Sequence, residues 1–64
     1  MDNIKLSIRA IAANHKISVA ELAQRCGINP YHLKQVSAGN VKMLAEDVQK
    51  ISAYTGIPAD NIVA

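Results

Sequence analysis

Sixty-four residues allow one small domain, and a chain that is half apolar but holds two Tyr and no Phe or Trp must build its core from Ile, Leu, Val, Met and Ala. One cysteine excludes an internal disulfide, and no apolar stretch approaches the roughly 20 residues that cross a bilayer. The net charge of +2 is unevenly placed: residues 22–45 hold Arg25, Lys34 and Lys42, with His32, and no acidic residue. Scarce strand-forming aromatics and abundant Ala predict an all-α fold. The start Met1-Asp2-Asn3 has no basic leader character, so the expected location is the cytoplasm.

Ile4, Ile8, Ile11 and Ala12 recur at helical spacing and predict a first helix over about 4–14, with Asn3 as its cap and Lys5 and Arg9 turned away from the stripe. After Asn14-His15-Lys16, the run Ser18-Val19-Ala20-Glu21 reads as a capping box, flanked by Ile17 and Leu22 at the two positions of a hydrophobic staple. The second helix is expected over about 19–26, with Leu22, Ala23 and Cys26 inward and Gly27 as the left-handed stop. Asn29 caps and Pro30 opens a third helix, closed by Gly39, with Leu33 and Val36 buried and Tyr31, His32, Lys34 and Gln35 off that stripe. Leu44, Val48 and Ile51 predict a fourth helix over about 43–54, ended by Gly56, with Glu46 and Asp47 favouring its start through the helix dipole. Pro58 opens a short fifth helix anchored by Ile62.

The densest signal is Ser18-x-x-Glu21-Leu22-Ala23-x-x-x-Gly27-Ile28-Asn29-Pro30-x-x-Leu33-x-x-Val36-x-x-Gly39. Its spacing has a physical cause, since Ala23 is small where two helices would cross, Gly27 turns the chain tightly, and Leu22, Leu33 and Val36 seal the pair onto the core. In this pattern the chain resembles the helix-turn-helix domains of the phage Cro and repressor family (lambda repressor-like), along nearly its whole length. Ile51-x-x-x-x-Gly56-Ile57-Pro58-x-x-x-Ile62 is similar to the family's junction between its fourth and fifth helices.

The resemblance implies a single domain over 1–64 with five short helices, a helix-turn-helix at about 19–38, and a third helix that enters the major groove of double-stranded DNA. It implies base contacts from Tyr31, His32, Lys34 and Gln35, with Pro30 where the family often has a polar reader, and phosphate contacts from Ser18, Asn29, Asn40 and Lys42. The chemistry of these residues suits those roles. Lys34 suits guanine O6 and N7, Gln35 the adenine edge, and Tyr31 a thymine methyl or a phosphate. Amides at a helix N-terminus add a phosphate site. The chain departs from the family pattern in two ways: Val19 stands where a phosphate-contacting Gln is common, and Ala12 and Ser37 replace a frequent Arg–Glu pair. Joint replacement of both charges avoids leaving one of them buried and unpaired.

Catalysis is not expected. Cys26 reads as a small core residue with no supporting triad, His15 and His32 fall on different segments without a third metal ligand, and no cofactor or small-molecule substrate is implied. His32 is expected to be exposed, with DNA contact and simple solvation both open. Met1 and Met43 read as terminal and gap-filling residues. The expected function is a sequence-specific transcriptional regulator, with a weak homodimer or a monomer that dimerises on DNA. The alternative is a protein-binding module of the same fold that docks onto another regulator, suggested by Val19, the thin charge and an exposed Tyr31.

Overall fold

The computed structural model describes residues 4–64. The capping role expected of Asn3, like Met1, lies outside those residues. From Leu6 onward the order is β1 (Leu6–Ser7), α1 (Ile8–Asn14), α2 (Val19–Cys26), α3 (Pro30–Ala38), α4 (Ala45–Thr55), a one-turn 3-10 helix (Ala59–Asn61) and β2 (Ile62–Val63). The fold is thus mostly helical. The expected fifth α-helix is instead the 3-10 turn followed by a strand, and β2 pairs in parallel with β1 in the register Leu6 to Ile62 and Ser7 to Val63.

This pairing also corrects the first helix, which begins at Ile8 and not near residue 4. Ser7 is the reason: its backbone is extended, and its Oγ accepts the Ala10 N–H at 3.1 Å, so the helix is capped there. The segment before it runs as strand. The Lys5 Nζ donates to the Asp60 carbonyl at 2.7 Å, and the Asn61 Nδ2 donates to the Ile4 carbonyl at 2.9 Å. Ile4, read as part of the buried stripe, is 65% exposed. At the other end of α1 Lys16 takes a left-handed φ of 59°, while Lys16 and Ile17 donate back to the Ala13 and Ala12 carbonyls.

α2 and α3 follow their local signals closely. Ser18 accepts the Glu21 N–H at 3.1 Å, and Gly27 ends α2 at φ 79°. The other half of the capping box is absent, because the Glu21 carboxylate accepts instead from Arg25 Nε at 3.1 Å, one helical turn on. Asn29 Oδ1 accepts from the Tyr31 and His32 N–H groups at 2.8 and 3.2 Å, with Pro30 at the first helical position, where no N–H is needed. The three residues Gly27, Ile28 and Asn29 are the whole connection between the two helices.

α4 begins at Ala45, and its cap residue, Leu44, has no polar side chain. The Asp47 carboxylate reaches back and accepts the Leu44 N–H at 3.0 Å. The core lies between all four helices: Ile8, Ile11, Leu22, Ala23, Leu33, Val36 and Ile51 are fully buried, Ala12, Ile28 and Ile62 nearly so, and Met43 and Val48 pack against them. Ile62 is therefore the expected anchor, though from a strand. No buried side-chain nitrogen or oxygen among the described residues lacks a hydrogen-bond partner.

Candidate nucleic-acid interface

α3 presents two faces. Leu33 and Val36 are fully buried in the core, which fixes the rotation of the helix and sends residues 31, 34, 35 and 38 outward along one stripe. Tyr31 is the most exposed large hydrophobic side chain among the described residues, at 72%. Lys34 is exposed and Gln35 half-buried. α2 and α3 form the most extensive contact between any two elements, so this face is mounted on a rigid support.

Local hydrogen bonds divide the eight residues expected at the interface. Gln35 Oε1 accepts from Asn40 Nδ2 at 2.8 Å, which orients the Gln35 amide while leaving its NH2 group to donate. Asn40, expected at a phosphate, is thereby tied to a base-reading candidate. Asn29 uses its carbonyl oxygen on the first amides of α3, so those two amides are already partnered. Ser18 uses its Oγ on Glu21 and remains exposed, as does Lys42 in the loop after α3.

His32 differs from its expectation. It is only partly exposed, at 31% of its side chain, because its Nε2 sits 2.8 Å from the Oδ2 of Asp47, which is buried at 3%. A single carboxylate oxygen thus serves both α3, through His32, and the start of α4, through the Leu44 N–H. Burial of Asp47 follows from this double use, since a carboxylate leaves water at low cost only when its lone pairs are met. Read from its place in the first turn, Asp47 has a dipole role alone. Its third-residue position was also a signal for the Leu44 contact, but nothing local marks His32 as its partner.

The electrostatics are redistributed as well. Arg25, one of three cations in the acid-free middle of the sequence, is engaged by Glu21 and by the Tyr54 hydroxyl, which lies 3.2 Å from Nη1. The Tyr54 and then the Glu21 hydrogen bonds hold its guanidinium above its ordinary value. The Tyr54 ring also lies 5.8 Å from that of His15. Lys34 and Lys42 remain exposed, and α1 adds a cation that sequence reasoning passed over. Arg9 lines one concavity of about 300 Å³ with Val19, Lys34, Gln35, Ser37 and Ala38. Its only signal in the sequence was its position off the apolar stripe.

Elsewhere the chemistry is sparse. Cys26 is half-buried against the core and burial pushes its thiol up, away from a nucleophile's range. Among the described residues no three of His, Cys, Asp and Glu come together to hold a metal ion, and no helix is long and apolar enough to cross a membrane. Compared with protein-family models, curated proteins and solved structures, the chain finds no match.

Proposed function

We propose that this chain is a sequence-specific duplex-DNA-binding regulator in which α2, the three-residue turn and α3 act as a helix-turn-helix and α3 enters the major groove. The observation that carries the reading is the two-faced α3: Leu33 and Val36 lock it to the core while Tyr31, Lys34 and the Asn40-braced Gln35 lie on its outer side. A helix so mounted fits a groove about 12 Å wide. Tyr31 supplies an apolar ring for a thymine methyl, Gln35 a donor and acceptor for adenine, and Lys34 a donor for guanine or phosphate. Ser18, Asn29, Asn40 and Lys42 fall to the flanks, with Lys42 as the charged phosphate contact. In this arrangement His32 serves chiefly to hold α3 at its angle to α4 through Asp47.

The test is selection from random duplexes, followed by fluorescence anisotropy of the enriched sequence across a salt series. Parent protein is expected to enrich a motif and to bind with a steep salt slope. Lys34→Ala and Gln35→Ala are expected to weaken binding, and truncation of Gln35 to relax one base position by about 1–3 kcal/mol. No enriched motif, with feeble binding at low salt, defeats the reading.

A second reading has its own observation. Val41 and Leu44, in and at the end of the loop after α3, are 44% and 49% exposed, and Tyr31 on α3 is exposed as well, which leaves large apolar side chains in the solvent. Such side chains suit a protein partner, for instance another regulator. Salt separates the two readings, because an apolar interface changes little over a range in which phosphate neutralisation loses orders of magnitude.

A further inference from the structure

We propose that Arg9 and Lys34 together seat one phosphodiester of the DNA backbone in the concavity where α1, the start of α2 and α3 meet, making Arg9 an anchoring residue of the interface and turning Lys34 toward phosphate. This rests on the DNA-binding reading above.

Three observations converge on the cleft. First, its lining holds two cations from different helices and no acidic side chain. The pocket beneath α3's opposite end, by contrast, mixes Lys50 with Glu46 and Asp47. Second, the end of α3 contributes only the small residues Ser37 and Ala38 to the lining of a concavity of about 300 Å³. Third, the cleft shares Lys34, Gln35 and Ala38 with the outward stripe of α3, so a duplex lying along that stripe brings its backbone over the cleft.

The charge pattern supplies the need for such a seat. Arg25, though exposed, is paired with Glu21 and Tyr54, so Lys34 and Lys42 are the cations of the middle without such a partner among the described residues. Val19, which has no polar side chain to offer a phosphate, lines the same cleft. A guanidinium beside it provides what Val19 lacks, as a planar fork that grips two phosphate oxygens at once, with the ammonium of Lys34 as a point charge opposite.

The experiment measures binding of the selected duplex between about 50 and 200 mM salt for the parent, Arg9→Gln, Arg9→Lys and Lys34→Gln. Removing one phosphate neutralisation flattens the log–log slope by about 0.9, so over that fourfold range the fall in affinity shrinks by about 3.5-fold. Arg9→Gln and Lys34→Gln are each expected to flatten the slope by up to this amount, since the two cations share one phosphate, to weaken binding to all duplexes alike and to leave the enriched motif unchanged, while Arg9→Lys retains most of the slope. A parallel series replaces single phosphates by neutral methylphosphonates. One position is expected to weaken the parent more than it weakens Arg9→Gln or Lys34→Gln, each of which keeps one of the two cations, a result that needs no comparison of variant stabilities.

A steep parent slope that Arg9→Gln leaves unaltered overturns the seat and leaves the DNA reading standing. A motif changed by Arg9→Gln, or relaxed at one base by Lys34→Gln, also overturns it, since the group involved then reads bases. Absence of binding by the parent overturns both.

Discussion

The α2–α3 unit and the paired strands that join the two ends of the chain are held by interactions of opposite range. In the first, the caps and the turn are set by hydrogen bonds that span a few residues, Ser18 to Glu21, Asn29 to Tyr31 and His32, and the Ile28 N–H to the Ala23 carbonyl, with the Lys50 Nζ donating to the Gly27 carbonyl at 3.3 Å from farther along the chain. In the second, Lys5 meets Asp60 and Ile4 meets Asn61, more than fifty residues apart. Local contacts close at small entropic cost, while contacts between the ends form only when everything between them is folded. The proposed reading helix therefore sits in the part of the molecule whose shape depends least on the rest. The ends work as a clasp on a core already assembled.

The largest effect that tests this contrast compares two isoleucines of one apparent stripe. Ile11 is fully buried, so Ile11→Ala removes transfer energy and leaves a cavity, for about 2–5 kcal/mol. A domain of this size holds only about 3–10 kcal/mol in all, so that variant is expected to be largely unfolded or close to it at 37 °C. Ile4, 65% exposed in the clasp, is expected to cost no more than about 0.5 kcal/mol as Ile4→Ala. Urea denaturation measures both. Equal destabilisation would mean that the N-terminal segment packs as helix against the core.

A middle-sized effect comes from the one long-range polar tie of α3 among the described residues. Asp47→Ala leaves the Leu44 N–H and the His32 ring without their acceptor, and the expected destabilisation is about 1–3 kcal/mol. In a His32→Ala background the same substitution is expected to cost less, because part of what it removes is already gone, with a coupling of about 0.5–3 kcal/mol in a double-mutant cycle. Strict additivity would show that His32 is not held by Asp47, and would return it to the exposed face of α3.

The same difference in range explains what could be read without the structure. Helices α2 and α3, with their caps and stops, were legible because Ser18, Gly27, Asn29, Pro30 and Gly39 act within one turn of where they stand. α1 was overextended because Ile4 keeps helical spacing with Ile8, while the residue that decides the matter, Ser7, competes as a cap only where the preceding chain has a strand to join. The strand it joins lies at Ile62, beyond the reach of any periodicity. The interface divides along the same line. Tyr31, Lys34 and Gln35 could be placed on one helix face by counting from Leu33 and Val36, whereas the burial of His32 depends on Asp47, and the approach of Arg9 to Lys34 on how α1 packs across α2.

The smallest effect sharpens the comparison most, because it sets two serines of equal local role in the two regions. Ser7 and Ser18 each accept one N–H at 3.1 Å from three residues ahead, and replacing either by Ala is expected to cost about 1 kcal/mol, a fall in Tm of roughly 4–8 °C. Their local consequences differ. Ser18→Ala weakens the start of α2 alone, so faster hydrogen exchange is expected at the Glu21 amide while the strand amides keep their protection. Ser7 is both the cap of α1 and a residue of β1, paired with Val63, so loosening it frees the clasp as well as the Ala10 amide. Faster exchange at Val63 in Ser7→Ala, and not in Ser18→Ala, is the expected result. A Ser7→Ala variant with unchanged stability and exchange would mean that α1 is capped upstream of Ser7, and the clasp would then have to be redrawn as a helical turn.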